Sequence, residues 1–477
     1  MGTIANGTSA RTGVWLAAAV GGLGWLLTAL VLARGGGYFV VVPHLGFIVP
    51  LAVVGTVTAL ATLDAERTSA SPLLWLLVIA LAGFFWNFVV YWIKVGADTW
   101  GILIPLAKPM GIDFRDGLYE PARAFTTATS GWPPFTLIVG KPFTLLPFGA
   151  AHAVELVLLA VAAAASVVLC ALLAVRVVQG HESSLTARST AGELREDQPV
   201  DALRLGVVAA VWLVTSVGFI FEMERGNIDL FALFFGLLAV WLMLGRRSPW
   251  WPALALAVSI NLKLYPGVLL VLLLWRYRWR AIVPAVVTNV VLLLIAGPRA
   301  VRETLTGQNA VQTVTQPYQW ANHSAASLSA VLRQVTTWAP SWIYWPLLLV
   351  PVALWLITMG VLVRRGWSPR GAVLGAAACT PLMGIVPPVS VEYKLVLCVF
   401  PLTVLMALIV SARGRGGLFW TLQFGLVAWA MITLARSSVV VNPSLQASKY
   451  LLLVLLQLLL LAAAWRTDRA GSAGGTR

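Results

Sequence analysis

The run from Trp250 to Trp275, WWPALALAVSINLKLYPGVLLVLLLW, is long enough to cross a bilayer, yet its flanks do not allow one crossing. Arg246 and Arg247 precede it, and Arg276, Arg278 and Arg280 follow it. Lys and Arg gather on the cytoplasmic side of membrane spans, so both flanks belong on the same side. The run must go in and come back. Asn261-Leu262-Lys263-Leu264-Tyr265-Pro266 in its middle supplies the break, because proline disrupts the preceding helical turn and Asn and Lys at membrane depth need a wet or protein-lined place. The expectation is two short helices around Lys263 to Pro266 and an even number of crossings overall.

Composition requires a membrane protein. The 477 residues are 59% hydrophobic and 11% charged, against about 25% charged in soluble domains, and the mean hydropathy is +0.87. A net charge of +15 would point to nucleic acid in a soluble chain. Here the arginines sit in short loops between apolar runs and set topology, so no nucleic-acid partner is expected. Cys170, Cys379 and Cys398 lie in apolar segments without metal-ligand spacing, and packing is their expected role. No cleavable signal peptide is expected in the first apolar run, Val14 to Ala33.

About 20 apolar residues cross a bilayer core. That ruler places spans near 13–33, 38–62, 73–94, 149–175, 204–222, 227–245, 281–298, 341–363, 371–387, 395–411, 417–435 and 449–465. With the broken pair at 250–275 this is an all-α, polytopic integral membrane protein of about 12–14 transmembrane helices. In this frame both termini and every arginine pair or triplet are cytoplasmic. Outside lie 95–148, Glu224-Arg225-Gly226, 299–340, Pro387 to Lys394, and Arg436 to Lys449. Residues 178–201 read as a flexible cytoplasmic linker, and 467–477 as a disordered tail. No internal repeat is visible, which speaks against a transporter built from duplicated halves.

The external stretch 95–148 gathers the densest set of carboxylates: Asp98, just past a span end, then Asp113, Asp116 and Glu120, then Trp132-Pro133-Pro134-Phe135. Tyr119, Glu224, Arg225, Asn227, Lys263, Asn322, His323, Glu392 and Lys394 fall on the same side. Ionisable groups near a membrane interior are costly, so their convergence from several segments marks a candidate site. Each has a plainer reading. Asp98 can simply end a helix, Glu224 and Arg225 read by default as a tight-turn ion pair, and His323 as a solvated loop residue. Asp113, Arg115, Asp116 and Glu120 read as a solvated mixed-charge surface, and Tyr119 as an interfacial aromatic. Lys263 resists such a reading, since snorkelling is awkward from between two half-helices.

Taken in order, Asp98, Gly111-Ile-Asp113, Gly117-Leu-Tyr119, Trp132-Pro-Pro-Phe135, Gly226-Asn227-Ile-Asp229, Asn261-Leu-Lys263-Leu-Tyr-Pro266, Asn322-His-Ser324 and Pro387-Pro-Val-Ser390-Val-Glu392-Tyr-Lys394 resemble glycosyltransferase family 87. The resemblance covers about residues 75 to 400. It implies the C-type glycosyltransferase (GT-C) fold and transfer of a sugar, mannose ahead of arabinofuranose, from a polyprenyl-phosphate carrier. The acceptor would be a lipid or glycan on the external face of the cytoplasmic membrane. It also carries the family's catalytic aspartate onto Asp98. Two departures stand out: two spans precede the one leading into the loop, and Tyr393-Lys394 replaces a histidine seen in several relatives.

The chain then divides into an N-terminal hairpin (1–72), a catalytic transmembrane module (73–400), C-terminal helices (401–466) and the tail. Asp98 is the expected general base, and Lys263, with Arg225 and Lys394, the expected cations for the departing phosphate. Glu224, Asn227, Tyr119, Asn322, His323 and Glu392 are further candidates for contact with donor or acceptor. No cofactor or obligatory metal is expected beyond the lipid-linked sugar itself. A transporter or flippase of a lipid-linked glycan is the alternative. It would need polar groups through the full membrane thickness, whereas these gather on the outer side.

Overall fold

The computed structural model describes residues 111–127, 132–186, 201–245, 248–306, 324–337, 339–387, 390, 392–411 and 443–466, and every regular element among them is helical. The expected spans 13–33, 38–62, 73–94 and 417–435 lie outside the described residues. By length and composition, four of the described helices suffice to cross a membrane, or five if one bent pair counts as a single span.

Helix α1 (Phe148–Thr186) is 39 residues long. It runs several residues into the stretch expected to be a flexible linker, because extending a helix is far cheaper than starting one. The span expected at 204–222 is in fact two helices, α2 (Ala202–Thr215) and α3 (Val217–Arg225), bent by 60°. Ser216 causes the bend: its backbone is extended and its hydroxyl accepts the Phe219 N–H at 3.1 Å, an N-cap inside an apolar run. Helix α3 stops at Gly226, whose φ of 64° belongs to the left-handed region that glycine adopts without penalty. Helix α4 (Asp229–Leu244) follows.

The stretch from 250 onward breaks where expected. Helix α5 (Trp250–Leu262) ends as Lys263 turns extended, a 3-10 turn (Tyr265–Leu269) follows with Pro266 in its first positions, and α6 (Leu270–Tyr277) completes the pair. Counted by hydropathy alone, 265–295 would pass as one 31-residue span. The contacts show otherwise. Helix α7 (Ile282–Ile295) lies beside α5, with the Thr288 hydroxyl 3.4 Å from the Ala253 carbonyl and Asn261 Nδ2 donating to Asn289 Oδ1 at 3.0 Å. Leu262 at the end of α5 packs near Phe135 and Val139, and Ala296, just past α7, packs on Leu137. Both C-terminal ends therefore meet the same short helix, 135–140, and α5 and α7 run parallel. The chain must return between them, through α6, and it reverses at Arg278 with φ 54°.

The second half comprises α8 (Gly297–Thr306), α9 (Ala325–Val335), α10 (Tyr344–Arg364), α11 (Pro369–Ile385), a 3-10 stretch (Glu392–Cys398), α12 (Val399–Ser411) and α13 (Pro443–Arg466). Helix α11 is buried along its length from Gly371 to Ile385. Its small residues allow this: a Cβ on Gly375 would lie 2.9 Å from Leu272 Cδ2 of α6. Between membrane helices, close backbone approach and packing replace the hydrophobic effect as the adhesive. Leu173, Leu237, Cys379, Val404 and Leu456 join α1, α4, α11, α12 and α13 in one core, and the three cysteines are free and buried in it. Outward, Val283, Val286, Val290 and Leu294 of α7 form an exposed apolar stripe at helical spacing, the surface that lipid covers.

Candidate functional site

The short helices before α1 are joined to the α3–α4 turn by one carboxylate. Asp113 accepts two hydrogen bonds from the Arg225 guanidinium, the Nε one at 2.9 Å, and a third from Asn227 Nδ2 at 3.0 Å. A planar guanidinium fork matches a carboxylate in this way. The Gly111 N–H donates to the Glu224 carbonyl at 2.9 Å and closes the same junction. Gly117, in a single π-type turn (Arg115–Tyr119), presses on Trp132, where a Cβ would lie 2.8 Å from the indole ring.

Three plain readings from sequence are corrected here. Arg225 pairs with Asp113 rather than with its neighbour Glu224. Asp113 is not a solvated surface group, because Arg225 and Asn227 draw it inward. Tyr119 is buried: it packs with Phe114, Phe143 and Phe148, and its hydroxyl donates to the Leu146 carbonyl at 2.8 Å. Arg115 and Asp116 do form the expected exposed pair, at 2.8 Å.

Beneath this junction lies a cluster of buried charges. Lys263, at the break, places Nζ 3.5 Å from Asp229 Oδ1 and 4.2 Å from the centre of the Trp132 ring. Asp229 is fully buried in the first turn of α4, and neither of its oxygens accepts a hydrogen bond among the described residues. Glu222, also fully buried, accepts the Leu230 N–H at 2.7 Å, so two carboxylates face the positive end of α4. Lys394 lies 5.2 Å from the Tyr265 ring and within electrostatic reach of both Asp229 and Lys263. Glu392, two residues earlier, forms a buried ion pair with Lys449 of α13.

Beside the cluster an apolar cleft of about 800 Å³ opens between α1, α4, α5 and the short helices before α1. Phe135, Phe143, Leu158, Phe231 and Phe235 line it, and Ile228 and Leu262, the residues just before Asp229 and Lys263, form the wall nearest the charges. Glu155 is the charged side chain in its lining.

Of the residues singled out from sequence, Arg225 and Asn227 meet at Asp113, Glu224 joins through its backbone, Lys263 pairs with Asp229, and Lys394 lies over the Tyr265 ring. Tyr119 and Glu392 stand at the margins, and Asp98, Asn322 and His323 lie outside the described residues. Sequence reasoning passed over Glu155, Glu222 and Lys449 and did not nominate Asp229. Glu155 carried a usable signal, as a carboxylate well inside an apolar span. Among the described residues no three His, Cys, Asp or Glu side chains are gathered as a metal-ligand set.

A family model described as glycosyltransferase family 87 matches residues 132–386. No curated protein and no solved structure matches the chain.

Proposed function

Because the chain belongs to glycosyltransferase family 87 and is a membrane glycosyltransferase, we propose that its sugar arrives on a polyprenyl-phosphate carrier, mannose ahead of arabinofuranose, and leaves on a lipid or glycan acceptor at the external face of the cytoplasmic membrane. The observation that carries this reading is the juxtaposition of a large apolar cleft with buried lysines: a hydrocarbon chain fits the first, and the phosphate that ends it fits the second.

The chemistry follows. The acceptor hydroxyl oxygen attacks the anomeric carbon while Asp98 takes its proton. The bond from that carbon to the phosphate oxygen breaks, and the carrier leaves as polyprenyl phosphate. Direct displacement inverts the anomeric configuration. Lys263 meets the charge that develops on the leaving group, and Lys394 adds to the same positive field. Asp229 and Trp132 hold the Lys263 ammonium in place beforehand, which is where preorganised electrostatics gain over water. Arg225 contributes indirectly, by fixing the external loop through Asp113.

A flippase would need polar side chains along a path through the membrane. Helix α4 carries no charged residue after Asp229, and α12 carries none, which favours transfer at one face. Membranes containing the protein, incubated separately with radiolabelled polyprenyl-phosphate mannose and polyprenyl-phosphate arabinofuranose, should pass label from one of them into lipid or glycan. Label retained on both carriers would refute the reading.

A further inference from the structure

The 3-10 stretch that carries Lys394 is gripped from two sides by groups to which the transfer chemistry above gives no part. At its first residue Glu392 is fully buried and pairs with Lys449 of α13, which is buried as well. Lys449 has little freedom to move, because the hydroxyl of Tyr450, its neighbour on α13, donates to the Leu347 carbonyl of α10. From the other side α3 lays Gly218 on the backbone of the stretch: a Cβ there would lie 2.9 Å from the Val396 nitrogen and 3.2 Å from the Glu392 carbonyl oxygen. The bend at Ser216 falls just before that contact and gives α3 its direction.

What the grip holds is Lys394. This lysine is buried, 5.2 Å from the centre of the Tyr265 ring, and within electrostatic reach of Asp229 and Lys263. Two ammonium groups in one low-dielectric place repel each other, so the second stays only where Asp229 and its own backbone keep it. A 3-10 helix turns once in about three residues, so Glu392 and Lys394 point to different sides, and Glu392 pairs with Lys449 instead of with its near neighbour. Well-packed apolar side chains would stabilise such a place as well as a buried ion pair does; what the pair adds is one fixed geometry. We propose that Glu392, Lys449 and Gly218 are positioning residues for phosphate recognition: they set the backbone from which Lys394 reaches Tyr265 and Asp229, so that it meets the carrier's phosphate together with Lys263. This rests on the polyprenyl-phosphate reading above.

Binding to the full-length protein in lipid nanodiscs tests it, with decaprenyl phosphate and uncharged decaprenol as the probes. The ratio of their affinities reads phosphate recognition apart from the binding of the tail, and wild type should prefer the phosphate. Glu392→Met combined with Lys449→Met exchanges the pair for apolar side chains; it should melt no lower than wild type and lose about tenfold of that preference, within the range for coupled neighbours. Gly218→Ala keeps both charges and displaces the stretch, so it should lose preference to a similar extent and decides the matter even where the paired change destabilises. Lys394→Met should lose at least as much, and in the Lys394→Met background neither of the other changes should cost anything further. The proposal is overturned if Gly218→Ala and the paired change keep the wild-type preference, if they weaken both probes equally, or if their losses add in full to that of Lys394→Met. A wild type that binds both probes alike would sink the carrier reading itself, and this proposal with it.

Discussion

At the scale of single residues, Asp98 and Asp113 should respond differently to the same change. Asp98→Asn keeps the shape and removes the proton acceptor, so transfer should fall by about two to four orders of magnitude with thermal stability unchanged. Asp113→Asn strips the counter-charge from Arg225, and each charged hydrogen bond lost costs about 1.5–3 kcal/mol. That variant should melt lower as well as work less. Comparing melting curves with transfer rates checks both, and full activity in Asp98→Asn with loss only in Asp113→Asn would move the base to Asp113. For Lys263, replacement by Met should raise the requirement for lipid donor far more than for acceptor, and Arg should restore part of it as a charge of different shape. Unaltered steady-state kinetics in Lys263→Met would make the lysine structural. Lys263 was legible because a cation between half-helices has few bland explanations. Asp113 was not, because its partners Arg225 and Asn227 lie more than a hundred positions away, and sequence cannot show that a surface-looking carboxylate is drawn inward by them.

At the scale of elements, hydropathy and arginine placement located the broken pair at 250–275 but overlooked the bend at Ser216. A proline with a lysine interrupts an apolar run visibly, whereas a serine cap hardly alters its hydropathy, and only the hydroxyl bond to Phe219 reveals it. Helix α8 shows how an element can be tied down by one side chain. Glu303 accepts hydrogen bonds from the Thr126 hydroxyl, the Arg299 guanidinium and the Thr127 N–H, and these hold its carboxyl low, at about 2. A folded-state value below the ordinary one stabilises the tie above about pH 4.5, and that stabilisation is lost as pH falls toward 2. Amide exchange at Thr126 and Thr127 should therefore quicken, after correction for intrinsic rates, between pH 4.5 and 2. In Glu303→Gln the same amides should exchange with no such step. A step that persists in the Gln variant would place the tie elsewhere.

At the scale of the whole molecule, the parallel course of α5 and α7 demands that the chain return between them, so positions 246 and 280 belong to one side of the membrane. Single cysteines there, in a background lacking the three native ones, should both resist an impermeant maleimide in intact cells and both react once the membrane is opened. Labelling of one and not the other in intact cells would end this topology. The family match stops at residue 386, yet the protein does not stop being one unit there. Lys449, from the last helix, is sealed against Glu392, on the 3-10 stretch that also carries Lys394. Removing that helix would leave a buried anion with its counter-ion gone, a far heavier loss than shedding an appendage. The C-terminal segment is thus a keystone: a gene shortened to the family's recognisable portion would encode a protein that lacks the piece closing its own arch.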